Sequence, residues 1–403
     1  MVASSIIGSD RWYPILLFLA LAVVLYLVVW QSFAHLERVE MARLPCGRPA
    51  EQVARGLCAR YELRYFDEQL AGWLWFDTGW YISIARDGYS DAQVRAFKEG
   101  RQSAVAFFPA YPLIVRQVNR LVDDMPLAAL LTTFICGVGV TLLFWRWTRA
   151  RLSPRGRRFA LVLLLLYPYA WFLFGTGYGD ALFLLVTLGA FLLLEAEHPV
   201  LAGLVAVPAL AGRPTGVAVT IGLLAVTAAR RDWRFAPLCF RPGDAGVLLS
   251  LGGLVAWLAY LWARTGDALA FVTVQAAWGQ RPGPLTWFKS NFFAHLHDHG
   301  WSFILRRSAQ ALCAILFLAA ITAVWRRFGW GYAAYSLAII GIPLVGSSDF
   351  QGLGRYLLAA FPVFAVGGAV LDEQPCWRWP ILVGSGALLI VFAALFATGH
   401  YMA

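Results

Sequence analysis

Charge is what this sequence lacks. Only 14% of its 403 residues are Asp, Glu, Lys or Arg, while 60% are hydrophobic. A water-soluble domain is ordinarily near half apolar and a quarter charged. That contrast excludes a soluble globular chain. The sequence also lacks internal repeats, a low-complexity tail and a stretch that reads as a separate soluble domain. No cleavable signal peptide is expected either. The first apolar run, Tyr13 to Ala34, exceeds the roughly 7–15 residues of a signal core. Asp10 and Arg11 precede it and no small-residue cleavage site stands out, so it is expected to stay as a signal anchor. Metal-type cysteine spacing is absent among the six Cys.

What is present is a series of long apolar runs. They recur from end to end, as in a polytopic helical membrane protein. About eleven spans are expected: 13–34, 126–147, 157–175, 179–195, 199–212, 214–229, 244–263, 308–325, 330–346, 355–371 and 379–398. Several are short, so tilted or broken helices are expected around Gly212 and Gly341. The segment 104–122 carries Arg116, Asn119 and Arg120 and reads as an interfacial amphipathic helix instead.

The formal charge is +10. Its arginines gather in short loops: RWTRARLSPRGRR at 146–158, ARRDWRF at 229–235 and WRRFGW at 325–330. Basic short loops mark the cytoplasmic side. An inner N-terminus puts all three there, so the charge reads as topology and not as a nucleic-acid surface. The outer face then holds two large loops, 35–125 and 264–307, together with GTGYGD at 175–180, GRPTG at 212–216 and GSSDFQGLGR at 346–355. The distinctive polar residues share one face of a single membrane domain, 1–403.

Cys46 and Cys58 fall in the first outer loop, in PCGRPAEQVARGLC. An oxidising compartment makes them a disulfide candidate, with two free thiols as the alternative. Cys136 and Cys313 are expected inside spans, and Cys239 and Cys376 on the inner side. The run FFAHLHDHG, 292–300, brings His295, His297, Asp298 and His299 close in sequence. No second cluster completes a ligand set, so no metal is assigned, and a loop facing acceptor or lipid headgroup is expected. Lys289 and Asn291 just before it are candidates to touch a phosphate.

The stretch WLWFDTGWYISIARDGY, 73–89, sets one acid among aromatics. As a continuous helix it would put Trp73, Phe76, Asp77, Trp80, Tyr81 and Ile84 on one face. Asp77 would then belong to the apolar stripe. A carboxylate in such a place is driven towards the neutral form and suits general-base work. The alternative is an Asp that caps a helix or pairs with Arg86.

FDTGWYISIARDGY resembles the W-D-x-x-W/F-Y-x-x-I-A-x-x-G-Y motif of the PIG-V family, the GPI mannosyltransferase 2 group and its bacterial relatives. These are membrane glycosyltransferases of the GT-C superfamily. FFPAYPL at 107–113, GYGDALFLL at 177–185, GRPTG at 212–216 and GRYLLAAFPVF at 354–364 follow in the family's order. Phe76 stands where the family more often has Trp, and Gly179 with Asp180 where Ser or Thr with Glu is usual. The resemblance implies a polyprenyl-phosphate donor, with mannose as the expected sugar. It implies transfer at the outer interface with inversion, and Asp77 as the base that deprotonates the acceptor. On that reading Arg213 and Arg355 stabilise the leaving phosphate, the alternative being interfacial snorkelling. Asp180 and Tyr178 would orient substrate hydroxyls. Trp80 and Tyr81 would stack on sugar or prenyl chain, the alternative being an interfacial aromatic belt. No cofactor is firmly expected beyond the lipid-linked donor, with a divalent metal left open as an unsupported alternative. The acceptor is a glycan, lipid or protein. An arabinosyl or other pentosyl transferase of the same superfamily is the neighbouring possibility. A transporter or flippase fits less well, because transporters keep ionisable sites near the midplane.

Overall fold

The computed structural model describes residues 2–40, 70–231, 241–280, 284–294 and 301–402. Every regular element among them is helical. Five helices are long and apolar enough to cross a membrane: Arg11–His35, Met125–Arg149, Pro242–Thr265, Ile304–Phe328 and Pro375–Ala397. A sixth is possible if Leu353–Ala359 and Phe361–Glu373, bent by 78°, form one broken span. The other expected spans coincide with shorter pieces, such as Pro154–Leu166, Asp180–Glu195, Pro199–Leu210, Val217–Arg230 and Trp330–Gly346. At about 1.5 Å per residue, helices of 12 to 17 residues do not cover the roughly 30 Å hydrocarbon layer alone.

The break expected near Gly212 is present, between Pro199–Leu210 and a short 3₁₀ turn, Pro214–Gly216. The one expected near Gly341 is not, because Trp330–Gly346 runs through it. The residues 104–122 form a 3₁₀ turn, Ala104–Ala106, and a helix, Ala110–Val122, which does not qualify as a span.

The chain divides into two compact units. One comprises 1–86, 112–182 and 367–402; the other comprises 87–111 and 183–366. In the first, the helices Val2–Glu40 and Met125–Arg149 enclose aromatic turns. Phe18 stacks on Phe174 with centroids 4.5 Å apart, and Phe144, Trp147 and Trp171 are fully buried. The second unit packs its short helices by close backbone approach. A methyl group on Gly203 would lie 2.0 Å from the Gly246 carbonyl oxygen. Small residues at helix contacts are the usual membrane solution, since lipid supplies no hydrophobic drive between apolar helices. A buried aromatic set, Phe191, Tyr335 and Phe361, fills the middle of this unit.

Candidate functional site

The residues singled out in sequence fall into both units. Asp77, Trp80, Tyr81, Tyr178 and Asp180 belong to the first. Arg213, Lys289 and Arg355 belong to the second.

In the first unit, residues 73–89 are not one helix. A 3₁₀ turn, Ala71–Trp73, ends at Leu74, and an α-helix starts only at Thr78. Phe76 between them has φ +57°, in the left-handed region that bulky residues avoid. Its ring sets this geometry, packing edge-on to Tyr401 at 4.8 Å and against Phe396 at 5.7 Å. Trp75 adds a bond from Nε1 to the Ala397 carbonyl at 3.0 Å. Tertiary aromatic packing thus overrides the helical periodicity. The expectation that Asp77 shares a helix face with Trp73 and Phe76 is therefore corrected. Its carbonyl accepts the first helical bonds, from the N–H groups of Trp80 and Tyr81. Asp77 stands at the helix start, half-buried, where partial positive charge stabilises an anion.

The loop 175–179 packs onto this start. Tyr178 is fully buried, and its hydroxyl accepts the Asp77 N–H at 3.1 Å and donates to the Trp75 carbonyl at 3.4 Å. Thr133 donates to the carbonyl of Thr176 at 2.6 Å and holds the loop from behind. Gly177 is required, because a methyl group there would lie 2.4 Å from Cγ2 of Thr78. Tyr81 meets the Tyr178 ring at 6.0 Å. Asp180 is buried and opens the helix Asp180–Glu195. Trp80 is half-buried. The far end of the Asp77 helix is held by Arg116, which donates from Nε to the Ala85 carbonyl at 2.6 Å and from Nη2 to that of Ile84 at 3.1 Å. In sequence Arg116 read only as the polar side of an amphipathic helix. Nothing there pointed to the carbonyls it caps.

In the second unit, Arg213 and Arg355 meet at one ring. The Arg213 guanidinium lies 5.4 Å from the Tyr356 centroid and 4.6 Å from that of Phe183. The Arg355 guanidinium lies 5.1 Å from the same Tyr356 ring. Arg355 is buried and Arg213 half-buried. The two guanidinium groups thus share one phenol ring as a cation–π partner.

The loop 347–355 that carries Arg355 is gripped from two sides. The Arg307 Nε lies 3.4 Å from Oδ2 of Asp349, with both side chains 9% exposed, and its Nη2 donates to Oε1 of Gln351 at 2.5 Å. Gln310, one turn further, accepts the Gly354 N–H at 3.3 Å. Lys289 is buried, and its ammonium donates to the carbonyls of Leu344 and Ser347, at the end of the helix Trp330–Gly346. Burial pushes its pKa down to about 8, against the pull of the Asp349 charge. Its recorded bonds thus go to a helix end. Gln280, Asn291 and Ser348 complete the polar set, with Asn291 donating to Ser348 Oγ at 2.6 Å. Sequence reasoning missed Arg307, Gln310 and Asp349, because their meaning depends on the fold of the loop they hold.

Cys46, Cys58, Cys239 and the run from His295 to His299 lie outside the described residues. Cys136 and Cys376 are free thiols. Among the described residues no three His, Cys, Asp or Glu side chains gather as metal ligands do.

Fold and composition define the class: a helical membrane protein with an acid at one strained helix start and paired arginines at a loop. No protein-family model matches the chain, and no curated protein matches it.

Proposed function

We propose that the chain is a GT-C-type glycosyltransferase of about eleven spans. It moves a sugar, with mannose as the expected one, from a polyprenyl-phosphate donor to an acceptor hydroxyl at the outer membrane face. One observation carries this reading. FDTGWY and GYGD, two of the segments behind the resemblance to the PIG-V family, meet through the 3.1 Å bond between the Asp77 N–H and the Tyr178 hydroxyl. An acid held next to the strained Phe76 suits a site where geometry must be kept.

The reaction assigned to these residues is a single displacement. The acceptor oxygen attacks C1 of the sugar while its proton passes to the Asp77 carboxylate. The C1–O bond to phosphate breaks on the opposite face, and the lipid phosphate leaves with the electron pair. The resemblance to the PIG-V family assigns the positive charge for that anion to Arg213 and Arg355. Inversion at C1 follows from attack opposite the leaving group.

The test uses the purified full chain with polyprenyl-phosphate mannose, a pentose-carrying donor and a panel of acceptors. Release of polyprenyl phosphate is followed. Turnover is expected with the mannose donor and is expected to fall at least about 100-fold in Asp77→Asn, with folding and donor binding kept. Near-normal turnover in that variant would remove Asp77 as the base. Turnover only with the pentose donor would select the pentosyl reading.

A further inference from the structure

The chain around Lys289 turns its side chains in two directions. Lys289 has φ +53°, in the left-handed region that residues other than glycine seldom enter. It is 6% exposed, whereas Trp287 and Phe288 before it are 62% and 72% exposed and Phe293 after it is 61% exposed. The strained turn sends the ammonium inward and keeps three aromatic rings outside. Such strain persists only where surrounding contacts impose it. The Lys289 ammonium donates to the carbonyls of Leu344 and Ser347. The Asn291 N–H donates to the Ser348 carbonyl at 3.2 Å, and the Phe292 ring meets that of Phe350 at 5.2 Å. The short helices Pro284–Trp287 and Ser290–Ala294 are thus fixed to the end of Trp330–Gly346 and to the loop that follows it.

Three observations point to lipid as the cover of those rings. The segment links two candidate membrane spans, Pro242–Thr265 and Ile304–Phe328, so both its ends start at the membrane surface. The helix end to which it is tied belongs to an apolar stretch without a charged residue, Trp330–Gly346, and Val345 there is 46% exposed. Residues 268–297 contain no Asp or Glu. A carboxylate is costly at a lipid boundary, whereas Trp and Phe settle there. Three partly exposed aromatic side chains of about 150–250 Å² each also fall short of the roughly 800 Å² per partner of a standard protein interface.

We propose that Trp287, Phe288 and Phe293 form a wedge that inserts into the adjoining bilayer leaflet, with phospholipid as its occupant. Through Lys289, Asn291 and Phe292 the wedge sets the depth of residues 347–350 relative to lipid. This inference does not rest on the reaction proposed above.

The experiment puts the photoreactive p-benzoylphenylalanine in place of Phe288 in the full chain, reconstituted in phosphatidylcholine nanodiscs. After irradiation the adducts are read by mass spectrometry. Adducts to phosphatidylcholine are expected, at a yield about ten-fold above that of the same probe in place of Arg101, a side chain 67% exposed in the same unit. Trp287→Ser spares the core, because Trp287 is exposed, and is expected to lower the yield at position 288 by about five-fold. The probe in place of Phe293 repeats the measurement if the first variant does not fold. The assignment falls if the yield at 288 equals that at 101, or if Trp287→Ser leaves it unchanged. It falls equally if the main product is a crosslinked pair of chains, which would mean that a second copy covers the rings. Adducts formed only with added polyprenyl phosphate would also overturn it, in favour of a groove for a prenyl chain.

Discussion

The surroundings of Asp77 and the loop 347–355 hold their functional candidates by opposite means. Around Asp77 the backbone is shaped by packing. Phe76 takes an unfavourable φ because its ring is wanted against Phe396 and Tyr401, and Gly177 lets the Tyr178 loop close onto Thr78. Hydrogen bonds from Trp75 to the Ala397 carbonyl and from the Asp77 N–H to the Tyr178 hydroxyl tie the backbone there. The loop of Arg355 is shaped by charge. A buried Arg307–Asp349 pair, a capped helix end at Lys289 and a set of amide side chains hold it. A packed site fixes the backbone that carries the carboxylate through rings. A charge-built loop can present arginines without burying much apolar surface. Each solution suits the group it carries.

This contrast can be broken most directly at the charged side. Arg355→Ala is expected to lower turnover by about 10²–10³-fold, weakening donor use more than acceptor use. An acceptor-only defect in steady-state kinetics would remove Arg355 from the phosphate. Next in size, Arg307→Ala should destabilise the chain by about 3–5 kcal/mol, because Asp349 would remain buried with its partner gone. Thermal unfolding in detergent checks this, and a change within measurement error would mean that the loop is not held by the pair.

Smaller effects sharpen the packed side. Tyr178→Phe keeps the ring and removes the hydroxyl between Asp77 and Trp75. It should cost about 1 kcal/mol in unfolding free energy. A loss several times larger would show that the bond, and not the ring packing, holds the break at Phe76. The smallest effect is a pH slope from Lys289, whose folded pKa of about 8 lies below the ordinary lysine value of 10.5. Between those values the unfolded chain binds more protons than the folded one, so stability should rise with pH across that window. Lys289→Met should flatten the slope. An unchanged slope in that variant would assign it to another group.

Much of the helical arrangement was legible in the sequence. Charge scarcity and long apolar runs place Arg11–His35, Met125–Arg149 and Pro375–Ala397 within a few residues of their expected bounds. The count of crossings was less legible, because runs such as 199–212 and 214–229 are broken into pieces by Pro and Gly that hydropathy alone does not weigh. Asp77, Tyr178, Arg213 and Arg355 were all nominated from sequence. Their surroundings were not, and for Asp77 the helical reading failed at one residue. Periodicity describes a helix in isolation, whereas Phe76 answers to rings more than 300 positions away in the chain.

Composition by itself determined the membrane-helical class, since apolar content and scarce charge act additively along the chain and need no folded contact to be read. Tertiary structure alone decided that Asp77 begins a helix, that Arg213 and Arg355 meet at Tyr356, and that Arg157 lies against the Trp145 ring. Those outcomes depend on contacts between residues distant in sequence, where one ring or one buried carboxylate outweighs any local propensity.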